Sequence, residues 1–232
     1  MDAVIVSDVH CDGPSSRTQY DFLAFLRRLR GPRLVLLGDI FHAFWAPRGT
    51  PFPAYRPVLD ALADFDVVAL PGNHDFTLPA WLALHGAQVA HPDPGAIGAK
   101  IEVALGARHA HLSHGDEVDQ SFGYRSLHFG LRGAAFARSM DAAGEQVAWS
   151  TLHKLAGPLG GGEPNPALVS AQRRRAEALE SSGFDLVAMG HTHDPACDPL
   201  PGGGIFLNTG DWVTHRTYGV VDGDRVELRR FE

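Results

Sequence analysis

Cysteine is scarce in this sequence. Of 232 residues only Cys11 and Cys197 carry a thiol. Two thiols in a chain of this length exclude a disulfide framework and point to a reducing compartment. No apolar run approaches the roughly 20 residues that span a bilayer. The opening residues, Met1-Asp2-Ala3-Val4-Ile5-Val6-Ser7-Asp8, have neither a basic start nor a long apolar core, so no secretory signal is expected. Positive charge is in deficit as well. A formal net charge of -7 removes any general attraction to nucleic acid, and no nucleic-acid partner is expected. A cytoplasmic location is expected, with peripheral contact at the inner face of the cytoplasmic membrane left open. The sequence does not fix the oligomeric state.

With 44% hydrophobic and 20% charged residues, the composition is that of a folded domain. The length suits one α/β domain, residues 1–232, with room for an insertion. What the chain has in excess is histidine, 13 residues, a common metal ligand and proton carrier.

Short β-branched runs recur, and several stop at a polar cluster. Residues 3–7 read as a strand before Asp8-Val9-His10, 33–37 before Gly38-Asp39, and 66–70 before Gly72-Asn73-His74-Asp75. Residues 109–113 precede His114-Gly115-Asp116, 185–189 precede Gly190-His191-Thr192-His193, and 205–208 precede Thr209-Gly210-Asp211. Helical periodicity over 20–30 places Phe22, Phe25, Leu26 and Leu29 on one face, and 57–65 is a weaker helix. Alternation of this kind predicts βαβ units with parallel strands, whose C-terminal ends form the ligand crevice. Residues 118–183 differ: helical patterns over 122–140, 145–156 and 166–181 read as an inserted cap. Residues 204–231 alternate like a β-meander.

Carboxylate oxygen, amide oxygen and imidazole nitrogen at those strand ends are the ligands that Mn²⁺, Fe or Zn accept. Asp8 with His10, and His191 with His193, stand two apart, so each pair shares a side of an extended strand. Glycine before Asp39, Asn73 and His191 suits a backbone that leaves the strand sharply.

In this order, D-x-H, GD, GNHD, H and GHTH, the set resembles the calcineurin-like metallophosphoesterases, over residues 8–193. The resemblance implies a four-layer α/β/β/α sandwich with a helical cap and two divalent cations at the strand ends, manganese first and iron or zinc as alternatives. One cation would take Asp8, His10, Asp39 and His193, and the other Asp39, Asn73, His114 and His191. Such a pair, about 3.5–4 Å apart, clamps phosphoryl oxygens and carries the hydroxide that attacks phosphorus. His74 would serve as general acid or charge stabiliser beside the leaving group, with Asp75 holding its other nitrogen.

A closer resemblance is to the UDP-2,3-diacylglucosamine diphosphatases of lipid A synthesis. It rests on Gly38-Asp39-Ile40-Phe41 running on to Phe44-Trp45, on the length of the helical segment, on Tyr124 and arginines after His114-Gly115-Asp116, and on Asn208-Thr209-Gly210-Asp211-Trp212-Val213. It implies a lipid-linked nucleotide cleaved to a lipid sugar phosphate and UMP. Arg125, Phe129, Arg132 and Phe136 fall on one face of a continuous helix, and Tyr124, Arg125 and Arg132 are expected to bind substrate. There are departures. His42 replaces a common Glu, Arg48-Gly49-Thr50 replaces an acidic segment, and His74 replaces the Arg of the best-known branch. A phosphodiesterase or phosphatase of other specificity, or a non-catalytic scaffold of the same fold, are the other readings. His85, His91, His109, His111, His128, His153 and His215 are expected to be surface or satisfied structural residues. His42 is open to either role. Cys11 is expected to be small and half-buried, and Arg173, Arg174 and Arg175 a solvated helix face.

Overall fold

The computed structural model describes every residue except 31–32, 47–50, 87, 90–97 and 158–162, and only the backbone of 88–89 and 145. His91 and Arg48-Gly49-Thr50 lie outside the described residues. The chain runs β1 (Ala3–Val6), α1 (Arg17–Arg28), β2 (Arg33–Leu36), α2 (Arg56–Leu62), β3 (Val67–Ala69), α3 (Leu78–Ala83), β4 (Gln88–Val89), β5 (Lys100–Leu105) and β6 (Arg108–Ser113). Four helices follow: α4 (Phe122–Leu131), α5 (Ala134–Ala143), α6 (Glu145–Ala156) and α7 (Pro166–Glu180). Then come β7 (Leu186–Met189), β8 (Ala196–Pro199), β9 (Ile205–Asn208), β10 (Thr217–Asp222) and β11 (Arg225–Arg230).

Two mixed sheets form, ordered β11-β10-β1-β2-β3-β4 and β5-β6-β7-β9-β8. The parallel strands β1, β2, β3 and β7 are short apolar runs because both of their faces are covered. Their alternation sorts side chains into three cores. Val4, Val6, Leu34, Leu36, Val67 and Ala69 face outward onto Phe22, Phe25 and Leu26 of α1 and Val58, Leu59 and Leu62 of α2. Ile5, Val35, Leu37 and Val68 face inward onto Ala110, Leu112, Leu186, Ala188 and Leu207 of the second sheet. Val187, Met189 and Phe206 face the other way onto Ala176 and Leu179 of α7. The result is the expected α/β/β/α sandwich.

Helix α1 starts three residues before the expected position 20, because the Ser16 side chain accepts from the Gln19 amide and caps it. Two larger expectations change. The helix expected over 122–140 is broken: Gly133 takes an extended backbone (φ −74, ψ 146) between α4 and α5. The face that was to run from Arg125, Phe129 and Arg132 on to Phe136 is therefore split between Arg132 and Phe136. Phe136 packs edge-on to Trp45 with ring centroids 6.0 Å apart, whereas Phe129 is 83% exposed. Of the expected C-terminal meander, β10 and β11 form the antiparallel hairpin, turning after Asp222, and β9 stands apart from them. β9 pairs parallel with β7, while β10 pairs antiparallel with β1 in the other sheet. The segment 209–216 crosses between the sheets, a choice that alternation cannot encode because both destinations bury one face.

Within 118–183, α7 packs against β7 and forms the outer layer of the second sheet. Helices α4–α6 sit over the strand ends instead. Met140, Ala148 and Leu152 join the first core, and Trp149 stacks edge-on to Phe52 at 4.7 Å. A polar tether from α6 adds to this: His153 Nε2 donates to Asp12 Oδ1 at 2.5 Å, while its ring stacks on Trp149 at 4.0 Å. Burial lowers the His153 pKa, but the bonds to Asp12 and to the Trp149 carbonyl outweigh it and leave the value raised above 6.5. A raised folded-state value stabilises the fold fully below 6.5, and the contribution is lost as pH rises through the folded value. His153→Phe keeps the stack and removes the bond. Denaturant unfolding should show it less stable than the native protein by about 1 kcal/mol at about pH 6, with the difference shrinking as the pH is raised through the folded value.

Candidate metal centre

Six non-glycine residues among those described have positive φ: Asp8, His10, Asp39, His191, His193 and Arg216. Five of them belong to the expected ligand set. Left-handed backbone costs an L-residue roughly 1 kcal/mol or more, so such residues cluster where the surroundings over-determine them. The chain turns out of each strand at these points and aims the side chains into one crevice between the two sheets. Gly38 shares the conformation (φ +97) and lies so close to Gly72 that a Cβ would stand 2.5 Å from it. Gly190 has no such φ. It is required because a Cβ would meet Ser7 Oγ at 2.3 Å and Asp8 Oδ2 at 2.4 Å.

The seven expected ligands converge. His10 Nε2 lies 3.3 Å from His193 Nε2, and His193 Nε2 lies 3.2 Å from Asp8 Oδ1. Asn73 Oδ1 stands 3.0 Å from both His114 Nε2 and His191 Nδ1, and His114 Nε2 stands 3.5 Å from Asp39 Oδ2. Ligand atoms of Asp8, His10 and His193 all lie within 4.8 Å of one another, as do those of Asp8, Asp39 and His114. A third group, His10, His42 and His74, meets the same condition.

The donor chemistry fits a pair of divalent cations. His114 Nδ1 donates to the Leu37 carbonyl at 2.8 Å. In the neutral ring, Nε2 then carries a lone pair turned toward the oxygens of Asn73 and Asp39, and only a positive charge among them makes that favourable. Without cations, protons supply it. Burial opposes charge on His114, but Asp39 holds its pKa well above the usual value. Asp8 pushes His193 up to about 9 against its burial. His10 falls to about 3, burial being the main cause. Asp39, despite its burial, is held low chiefly by His114 and His74.

His74 lies beside this set. Its backbone N–H donates to Asp39 Oδ1 at 2.8 Å, its Nδ1 donates to the His42 carbonyl at 2.8 Å, and its Nε2 is 3.9 Å from Asp39 Oδ2. The expectation that Asp75 holds the other nitrogen of His74 is corrected here. Asp75 is fully buried and accepts from the backbone N–H groups of Asp39, Ile40, Phe41 and Gly72 at 3.0, 2.7, 3.3 and 3.1 Å. It knits the Asp39 loop to the Asn73 loop. Burial and then the charge of Asp39 push its pKa up. Four donors have no other acceptor, so Asp75→Ala should lower unfolding stability by about 3 kcal/mol or more in denaturant titration and weaken metal retention with it.

Tyr124 and Arg132 reach the crevice and Arg125 does not. The Tyr124 hydroxyl donates to Asp116 Oδ2 at 3.1 Å, and its ring is 5.8 Å from that of His191. Arg132, buried, donates to the Gly72 carbonyl at 3.3 Å, and its guanidinium lies 5.2 Å over Phe76. Arg125, two turns before Arg132 on α4, is exposed and bonds Gln120. A cavity of about 200 Å³ opens beside Asn73 and His74 and runs along Tyr124, Leu127, Leu131 and Leu155 of the cap.

Other expectations divide. His109, His85 and His215 are exposed or half-buried, bonding the Gly183 carbonyl, the Trp81 carbonyl and Asp211. His111 is buried in β6, and burial pushes it down to about 4. His128, 5% exposed, lines the cavity. Burial also pushes it down to about 4. Cys11 is fully buried rather than half-buried, and Arg173 pairs with Asp198 and Glu177. Sequence reasoning missed Ser7, Gln172 and Asn208, buried polar residues that bind the ligand loops. Ser7 precedes Asp8 and Asn208 ends a strand, but Gln172 sits in Gln-Arg-Arg-Arg with no mark upon it.

This chain belongs to the calcineurin-like phosphoesterase family, whose sequence profile matches residues 1–195, and it is a metal-dependent phosphoester hydrolase. Among curated proteins it is similar to the UDP-2,3-diacylglucosamine hydrolase of Marinobacter nauticus, 25% identical over 228 residues, 91% of this chain and 90% of that protein. The UDP-2,3-diacylglucosamine hydrolase of Ralstonia nicotianae is 26% identical over 227 residues, 89% of this chain and 82% of that one. A solved archaeal phosphodiesterase, 15% identical with a TM-score of 0.51, covers 99% of this chain and 98% of its own, and shares the fold.

Proposed function

We propose that this protein hydrolyses the pyrophosphate of UDP-2,3-diacylglucosamine to a lipid sugar phosphate and UMP, using two divalent cations, manganese by preference. The cations are held by Asp8, His10, Asp39 and His193 on one side and Asp39, Asn73, His114 and His191 on the other. The observation that carries the substrate is the cavity. It is polar where Asn73 and His74 meet the centre and apolar along Leu127, Leu131 and Leu155, the shape of demand made by a molecule with phosphate at one end and acyl chains at the other. Two relatives named for this substrate, each matching about nine-tenths of this chain, support the same reading.

A cation pair bound there supplies a nucleophile at neutral pH and offsets charge on the phosphoryl oxygens. The chain's own residues orient and exchange protons. Asp39, 2% exposed, stands between the two ligand sets and receives the His74 amide. His74 keeps Nδ1 on the His42 carbonyl, which fixes its ring and leaves Nε2 to meet the leaving oxygen as general acid. Tyr124 and Arg132 border the same crevice as substrate contacts, the Tyr124 hydroxyl being fixed by Asp116.

Protein loaded with Mn²⁺ should release UMP from UDP-2,3-diacylglucosamine. Asp39→Ala should abolish turnover, and His74→Ala should cut it about 10²- to 10³-fold while both metals remain by elemental analysis. Turnover of simple aryl phosphodiesters with none of the sugar nucleotide would instead favour a phosphodiesterase of other specificity, a reading to which His42 and His74 lend weight as departures from the sugar-nucleotide pattern. Metals lost from the His74 variant would move that residue into the ligand set.

An acyl-chain substrate resides in a bilayer, and the outer side of α4 presents Phe122 and Phe129 at 87% and 83% exposure. We read that side as the membrane contact. Co-sedimentation with phospholipid vesicles should be seen for the native protein and lost on replacing both phenylalanines by alanine. No sedimentation of the native protein would remove the contact.

A further inference from the structure

We propose that Gln172, on α7, is a positioning residue for the metal centre: its amide sets the mutual spacing of the loops that carry His114, His191 and His193. The proposal rests on the assignment of those three histidines as metal ligands.

Gln172 is 1% exposed, in a helix whose neighbouring positions 173–175 are all arginine. Nε2 donates to the Gly190 carbonyl at 2.8 Å and to the Gly115 carbonyl at 3.4 Å. Oε1 accepts from Thr192 Oγ1 at 2.9 Å and from Asn208 Nδ2 at 3.0 Å. One side chain thus holds the residue after His114, the residue before His191, the residue between His191 and His193, and the end of β9. Asn208 repeats the pattern, donating also to Thr192 Oγ1 at 2.9 Å and accepting from the Gly210 amide at 2.9 Å.

These are the loops with strained backbone. His191 and His193 have positive φ, and each would relax toward ordinary conformations if the carbonyl and hydroxyl beside it lost their partners. Gly115 is cut to fit: a Cβ there would stand 2.3 Å from Gln172 Nε2. A primary amide suits the place because it alone offers two donors and two acceptors in one plane, and the site uses both kinds. Residues that orient ligands without touching the metal commonly change affinity by about 10- to 100-fold when removed.

The test separates positioning from mere support of the fold. Purified, chelator-stripped protein is titrated with Mn²⁺ by equilibrium dialysis. Gln172→Met keeps the volume and removes every bond, and should weaken binding about 10- to 100-fold, with kcat restored when Mn²⁺ is raised to saturate the variant. Leu179→Ala, two turns along the same helix and clustered with Phe184 and Leu200, destabilises α7 away from the loops and should leave Mn²⁺ affinity at the native value. Thr192→Val removes one hydroxyl and covers the case in which Gln172→Met does not fold; it should weaken binding on the order of 3- to 10-fold. Native affinity in the Gln172 and Thr192 variants would overturn the proposal, as would an equal loss in Leu179→Ala. A native protein that binds no Mn²⁺ would instead overturn the assignment of the ligands.

Discussion

Two carboxylates, Asp8 and Asp39, lie at 0% and 2% exposure at the bottom of one crevice, and buried negative charge must be matched where it sits. That requirement organises the molecule. Histidines converge on the two acids from four strand ends, and protons on His114 and His193 serve where cations would serve better. The His114 nitrogen that is turned away from the centre, Nδ1, donates to the Leu37 carbonyl. The surrounding backbone is bent into left-handed conformations to bring these groups together, and other buried polar groups hold it there.

Those supports come from outside the ligand set. On one side Asp75 gathers four backbone N–H groups and fuses the loops after β2 and β3. On the other, the amides of Gln172 and Asn208 gather the loops after β6, β7 and β9. Ser7 reaches Thr209 across the gap between the sheets at 2.6 Å. The strain of the centre is thus spread over a ring of hydrogen bonds that water does not reach, which is where such bonds are strongest. The helices α4–α6 then border one flank, where the cavity is lined by Leu127, Leu131 and Leu155 on the helical side and by Asn73 and His74 at the centre.

The sequence by itself determined the central strands and the chemistry at their ends. Runs such as Ala3-Val4-Ile5-Val6 read as buried strands because β-branched residues without alternation have no other comfortable place. Ligand types in fixed spacing, Asp8-x-His10 and His191-x-His193, declare themselves because metal chemistry is local. Periodicity likewise placed α1, α6 and α7 to within a few residues.

Tertiary structure decided what depends on partners far away in the chain. Asp75 stands next to His74 in sequence, yet its carboxylate turns to the amides of the Asp39 loop, 34 to 36 residues back. Arg132 and Phe136 share a helical face on paper and are parted by the turn at Gly133. β9 and β10 alternate alike but enter different sheets. Gln172 carries no sign of its task, because its partners at 115, 190, 192 and 208 meet only when both sheets are assembled. Periodicity records which face of an element is buried; it holds no record of what that face will find there.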